Sequence, residues 1–276
     1  MKLTLAGMTA MLVLPFLPGS QGAPTTGYFF GFDRNDYPGD ASLPALRHDF
    51  NFAGYWLNVP PGGTSNSWEG KREIVRNAGL GFLVLFNGRL DAELKKSKDP
   101  AARGRSDAAS AIASAQKEGF RPRTIIFLDV EEGGRMLPEQ KAYIYAWVDA
   151  VNAGEFRAGI YCSGIPVKES GGVRITSAKD LYQNAAGRNI QYWVANDACP
   201  PSPGCALPKR PPSPSRSGVG FAEVWQTAQS PRRRDLAVGC RATYDRDDNC
   251  YAPGTRAQSL FLDIDVAKTP DPSDGR

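Results

Sequence analysis

A (β/α)8 barrel is the fold class that this 276-residue sequence predicts, and three observations predict it. Short apolar runs recur along the chain, eight in all. Stretches with a helical pattern separate several of them, so strand and helix alternate as they do around a parallel sheet. Eight such repeats in one domain-sized chain are the number that closes a parallel sheet into this barrel.

Taken in order, the expected strands are Tyr28 to Asp33, Gly54 to Val59, Gly81 to Phe86, Thr124 to Val130, Arg157 to Cys162, Gln191 to Ala195, Ala222 to Thr227 and Ser259 to Asp265. The expected helices are Trp68 to Asn77, Ser106 to Glu118, Pro138 to Asn152 and Ser177 to Ala186. The third of these opens on proline and glutamate and stops before Gly154, which are the usual start and stop signals. After Ala195 the helical pattern fades. Residues Cys199 to Ser217 are dense in proline and serine, and the stretch between Thr227 and Ser259 has no helical period, so outer helices of the last third are expected to shrink to loops. No linker divides the chain, and a single barrel domain over 24–276 is the expectation.

Residues 1–23 carry Lys2, an apolar stretch from Leu3 to Leu17 and small residues around Gly22 and Ala23, the composition of a secretory signal peptide. The stretch is too short for a comfortable membrane span, so no stable span is expected after its removal. A secreted, periplasmic or cell-envelope location follows. Five cysteines suit that setting: Cys199 with Cys205, and Cys240 with Cys250, bracket polar loops and are expected to form two local disulfides. Cys162 is left within a strand, where a lone thiol behaves as a small apolar residue.

The hydrophobic content of 41% is that of a globular protein, and the net charge of +4 is small. No basic stripe interleaved with aromatics points to nucleic acid. The single histidine, His48, falls in an early helical segment, which argues against Cys/His or Ser/His catalysis. No cysteine or histidine spacing resembles a metal ligand set, and neither a metal nor another cofactor is expected. A monomer is expected.

The chemistry is concentrated at the strand ends. Thr124 to Leu128 runs straight into Asp129, Val130, Glu131 and Glu132. Alternate strand residues share a face, which would set the α-carbons of Asp129 and Glu131 roughly 6.5 Å apart. Burial and mutual repulsion would keep one carboxyl protonated and the other ionised, as acid-assisted cleavage of a glycosidic bond requires. A solvated acidic turn is the plainer alternative. Asp33 ends the first strand, and Asp263 and Asp265 lie on the eighth. Trp56, Tyr161, Trp193 and Trp225 add rings on which a sugar could stack, although Trp56, Trp193 and Trp225 could each be ordinary barrel filling, and Asp33 could cap a helix.

These residues resemble the glycoside hydrolase family 25 lysozymes and, more closely, their relatives the Rv2525c-like glycoside-hydrolase-like domain (DUF1906). The resemblance lies in Asp33, Asp129-Val130-Glu131, Trp193-Val194-Ala195, Trp225-Gln226 and Asp263, in that order along the mature chain. It implies muramidase-type hydrolysis of the β-1,4 bond of peptidoglycan, with Glu131 as general acid in a shielded cavity and Asp129 assisting. Asp33 and Asp263 would orient the substrate and set the charge state, while Trp56, Tyr161, Trp193, Trp225, Gln226 and Asp265 would bind it. The first-strand motif Gly31-Phe32-Asp33-Arg34-Asn35 departs from the lysozyme form, and Asp197 stands where a tyrosine is expected. The competing reading is a non-catalytic barrel that binds cell-wall glycan, because fold alone does not fix function. A family 18 chitinase-like hydrolase lacks its alternating aspartates here, and an adaptor using the proline-rich loop 200–217 would leave the acid cluster unexplained.

Overall fold

The computed structural model describes residues 27–197, 208–229 and 262–276. The expected signal peptide and the four cysteines Cys199, Cys205, Cys240 and Cys250 lie outside them. Eight strands close into a barrel in the order β1 (Phe29–Asp33), β10 (Asp263–Ala267), β9 (Val224–Ala228), β8 (Gln191–Ala195), β5 (Arg157–Ser163), β4 (Ile125–Asp129), β3 (Gly81–Asn87) and β2 (Phe52–Trp56). The predicted barrel is therefore the observed architecture. A small hairpin of β6 (Val167–Lys168) and β7 (Arg174–Ile175) follows β5.

One feature departs from an all-parallel barrel. β10 pairs antiparallel with both β1 and β9, whereas the other barrel pairs are parallel. A parallel return needs a crossover outside the sheet, and an antiparallel one does not. The chain therefore enters β10 from the face at which β9 ends, and Asp263 lies at the mouth although it begins its strand.

Helices α1 (Leu43–Asp49), α2 (Arg72–Asn77), α3 (Asp91–Leu94), α4 (Pro100–Lys117), α5 (Pro138–Ala153) and α6 (Ser177–Gln183) accompany the first five barrel strands. Asp99 caps α4 by accepting from the Ala102 N–H at 2.8 Å, and Thr176 caps α6 in the same way through Lys179 at 3.1 Å. Between β8 and β9 the described residues hold one 3-10 turn, Pro214–Ser217. The run of proline and serine there suppresses a regular helix, as the sequence predicts. Cys162 is free and buried on the outward face of β5, and burial pushes its thiol well up, consistent with a packing role. Among the described residues no helix is long and apolar enough to cross a membrane.

The antiparallel exit of β10 delivers the last residues to the floor of the barrel. There the Phe82 N–H donates to Asp271 Oδ1 at 2.7 Å, the Val84 N–H to Ser273 Oγ at 2.8 Å and the Ile125 N–H to the Ser273 carbonyl at 2.8 Å. Arg72 lies over the Phe120 ring at 4.8 Å and donates to the Gly275 carbonyl at 2.8 Å. Each buried N–H left without a partner costs about 1–3 kcal/mol. Removing residues 270–276 is accordingly expected to lower stability by at least about 3 kcal/mol, read as a fall in the denaturant midpoint; an unchanged midpoint would show that this tail is not structural.

Candidate active site

Register brings the site together. Asp129 at the end of β4 lies beside Asn87 of β3 on one side and Tyr161 of β5 on the other, and Tyr161 lies beside Trp193 of β8. Across the seam, Asp265 pairs with Gln226 of β9 and with Gly31 of β1, while Asp263 pairs with Asp33. Alternate residues face inward, so these side chains share the interior. Glycine makes room for them: a Cβ on Gly54 would lie 2.6 Å from the Asp33 Cβ and 3.1 Å from its Cα.

A hydrogen-bonded chain ties the walls to one another. The Tyr161 hydroxyl donates to Gln226 Oε1 at 2.8 Å, and Gln226 Nε2 donates to Asp33 Oδ1 at 2.8 Å. The Trp193 indole donates to Asp265 Oδ1 at 3.0 Å and packs on Tyr161 with ring centroids 4.5 Å apart. Gln229 Nε2 supports Gln226 at 2.9 Å.

Electrostatics mark the centre. The Tyr161 hydroxyl is pushed well above its usual range, first by burial and then by the negative charges of Asp129, Asp33, Asp263 and Glu131. All four carboxylates of the sequence-based catalytic set thus act on one hydroxyl. Asp129 is buried, its Oδ1 has no hydrogen-bond partner, and its carboxyl is raised well above the carboxylate range by burial and then by Glu131, Asp33 and Glu132. Asp265 is fully buried and raised likewise, by burial first and by Asp33 second.

Several expectations are corrected. Glu131 lies beyond the end of β4 and is exposed, so the shielded carboxyl is Asp129 rather than Glu131. The strand stops there because Glu132 turns back: its carboxylate accepts from the Asp91 N–H and from Gln140 Nε2, and its carbonyl accepts from the Ser177 hydroxyl. Trp225 occupies the opposite face of β9 from Gln226 and donates to the Asn196 carbonyl at 2.8 Å, away from the cluster. Trp193 and Asp265 are covered completely and hold other side chains rather than offering surface to a sugar. Trp56 is also buried, its indole donating to the Arg34 carbonyl at 3.1 Å. Of the predicted binding residues, Tyr161 alone keeps a partly exposed ring. Asn87 and Gln229 were not singled out by sequence; polar residues at or just past the ends of apolar strands are the signal that could have found them.

A family model described as the Rv2525c-like, glycoside hydrolase-like domain matches residues 65–202, half of the chain. The chain belongs to that family. The match takes in Asp129, Glu131, Tyr161 and Trp193, while Asp33, Gln226 and Asp263 lie outside it and join through the barrel pairing. Among solved structures, an uncharacterized protein of B. stearothermophilus is similar at 18% identity and TM-score 0.53, covering 87% of this chain and 95% of that one. The Mycobacterium tuberculosis Tat-secreted protein Rv2525c is similar at 12% identity and TM-score 0.51, with the same shares, 87% and 95%. The Clostridium perfringens spore cortex lytic enzyme SleM is similar at 14% identity and TM-score 0.51, covering 90% of this chain and 70% of that one. These likenesses establish the barrel fold. A comparison with curated proteins gives no match.

The fit between Gly54 and Asp33 is testable. Gly54→Ala is expected to displace Asp33 and to cost about 1–3 kcal/mol of stability, as overpacking of a filled core does. Thermal unfolding measures the cost, and a variant as stable as wild type would show that the barrel wall yields without strain.

Proposed function

We propose that this protein is an exported glycoside hydrolase that cleaves β-1,4 bonds of a peptidoglycan-type glycan by carboxylate acid/base catalysis. The observation that supports it is the register that sets Asp33 beside Asp263 and Asp129 beside Tyr161 at one end of the barrel, with Glu131 two residues beyond Asp129. A glycosidic bond breaks when one carboxylic acid protonates the leaving oxygen while an ionised partner meets the developing oxocarbenium ion or a water. Environments that push two acids apart assign those roles. Here the buried Asp129 holds the proton and the exposed Glu131 is the ionised partner, a reversal of the roles that the family resemblance implies. Asp33 and Asp263 orient the sugar, and Tyr161 offers it a ring face.

Membership of a glycoside-hydrolase-like family and a barrel shared with a spore cortex lytic enzyme favour a cell-wall glycan as substrate. The leader-like residues 1–23 and the likeness to a Tat-secreted protein favour export. The exposure of Glu131 favours a second reading, a barrel of the same fold that binds glycan without turnover.

Purified mature protein is expected to clear a suspension of bacterial cell walls. Asp129→Asn and Glu131→Gln should each slow clearing by about 10²–10⁴-fold while leaving sedimentation with walls intact. Because Asp129 must be protonated to act, clearing should fall as pH rises through its raised folded-state pKa. Clearing that survives in Asp129→Asn but not in Glu131→Gln would return the acid role to Glu131. Wild type that binds walls without clearing them would establish the binding reading instead.

A further inference from the structure

The hairpin that follows β5 is built against its own stability. β6 and β7 pair over two residues each, Val167 with Ile175 and Lys168 with Arg174. Lys168 and Arg174 therefore stand directly opposite each other on one face, an arrangement in which like charges destabilise a strand pair. Both are exposed, and among the described residues neither meets an acid: Arg174 donates to the Pro166 carbonyl at 3.3 Å, and the hairpin's own Glu169 is taken by Arg135 at 3.1 Å. Of the eight large hydrophobic residues exposed among the described ones, three sit here as well, Ile165, Val167 and Val173 at 49%, 41% and 55%.

This costly element is nevertheless fixed to the rim of the site. β5 ends at Ser163, two residues beyond Tyr161 and at the same end of the barrel as Asp129. The opposite face of the hairpin packs on the loop that carries Glu131: a Cβ on Gly133 or Gly134 would lie 3.3 Å from side-chain carbons of Val167. Just after β7, the Ser177 hydroxyl donates to the Glu132 carbonyl at 3.0 Å. Residues that break a local rule without a compensating contact gather where a protein binds something.

We propose that Lys168 and Arg174 form an anion subsite on the rim of the mouth that takes the carboxylates of peptide branches carried by the glycan. Two cations without a counter-charge match carboxylates, with which they make charge-assisted hydrogen bonds. The aliphatic side chains beside them match an anion carried on a chain with apolar groups rather than a free inorganic ion. A branch leaving a sugar at the mouth would run outward over this rim. The assignment rests on the peptidoglycan-type reading of the substrate, but it is read from binding and not from bond cleavage, so a protein that binds walls without clearing them leaves it intact.

Cosedimentation with bacterial cell walls tests it. The double variant Lys168→Gln/Arg174→Gln is expected to bind intact walls about 2- to 30-fold more weakly than wild type, as the loss of two exposed ion pairs implies. That gap should close in about 1 M salt, where screening acts within about 3 Å. On walls whose peptide branches an amidase has removed, the two proteins should bind alike, whereas stripping wall phosphate with hydrofluoric acid should leave the gap unchanged. The variant should also melt no lower than wild type, because a like-charge contact is gone. Equal binding of the two proteins to intact walls, including none by either, overturns the proposal, as does a gap that survives peptide removal or disappears with the phosphate. A variant that melts lower or fails to fold overturns it too, since the two cations would then be structural.

Discussion

Because β10 runs against both of its neighbours, the residues that enter that strand, not those that leave it, sit at the mouth of the barrel. Asp263 then faces Asp33 across the β1 seam, and Asp265 lies one pleat deeper opposite Gly31. A parallel strand in the same slot would place its first residues at the floor and send Asp263 and Asp265 away from Asp129. The direction of one strand thus decides whether the acidic residues of the two chain ends form a cluster with those of the middle. It also decides where residues 271–275 lie, since the exit of β10 at the floor puts Asp271, Ser273 and Gly275 within reach of β3, β4 and Arg72.

Within that frame neutral side chains bridge the walls of the cluster. Gln226 spans Tyr161 and Asp33, and the Trp193 indole spans the wall to Asp265. Amide and indole donors can satisfy carboxyl oxygens without collapsing the site into ion pairs, so proton affinities stay high where burial is deep. The contrast with the outer shell is plain. Asp107 and Asp180 are also buried, yet Arg89 and Arg103 meet the first and Lys141 and Arg135 the second. Those paired aspartates join helices and loops to one another, whereas the inward-facing Asp129 and Asp265 are raised toward their neutral forms.

The loop after β4 divides labour between adjacent glutamates. Glu132 is spent on structure, accepting from the start of α3 and from α5, and this leaves Glu131 directed to solvent beside the mouth. An apolar run followed by Asp-x-Glu-Glu reads as a strand that delivers its acids together. Where the strand ends depends on which glutamate the helices capture, and that partner, Gln140, is eight residues away in sequence and belongs to another element.

Much of the architecture was legible from the order of residues alone. Apolar runs of strand length separated by helical stretches determine a barrel, because only a closed sheet wrapped by helices buries so many short hydrophobic segments at once. Asp33 and Asp129 were legible as acids for the same reason, each closing such a run, whereas Asp263 lies at the mouth only because β10 runs antiparallel. Sequence order also indicated the want of a regular helix in 208–223, where among the described residues a single 3-10 turn stands and proline denies the backbone its donors. Tertiary structure alone decided the sense of β10, the face on which Trp225 lies, and which acid is shielded. These depend on pairing partners distant along the chain: a period of two tells which residues share a side but not which side is inward, and a carboxyl's proton affinity is set by how much water its neighbours exclude.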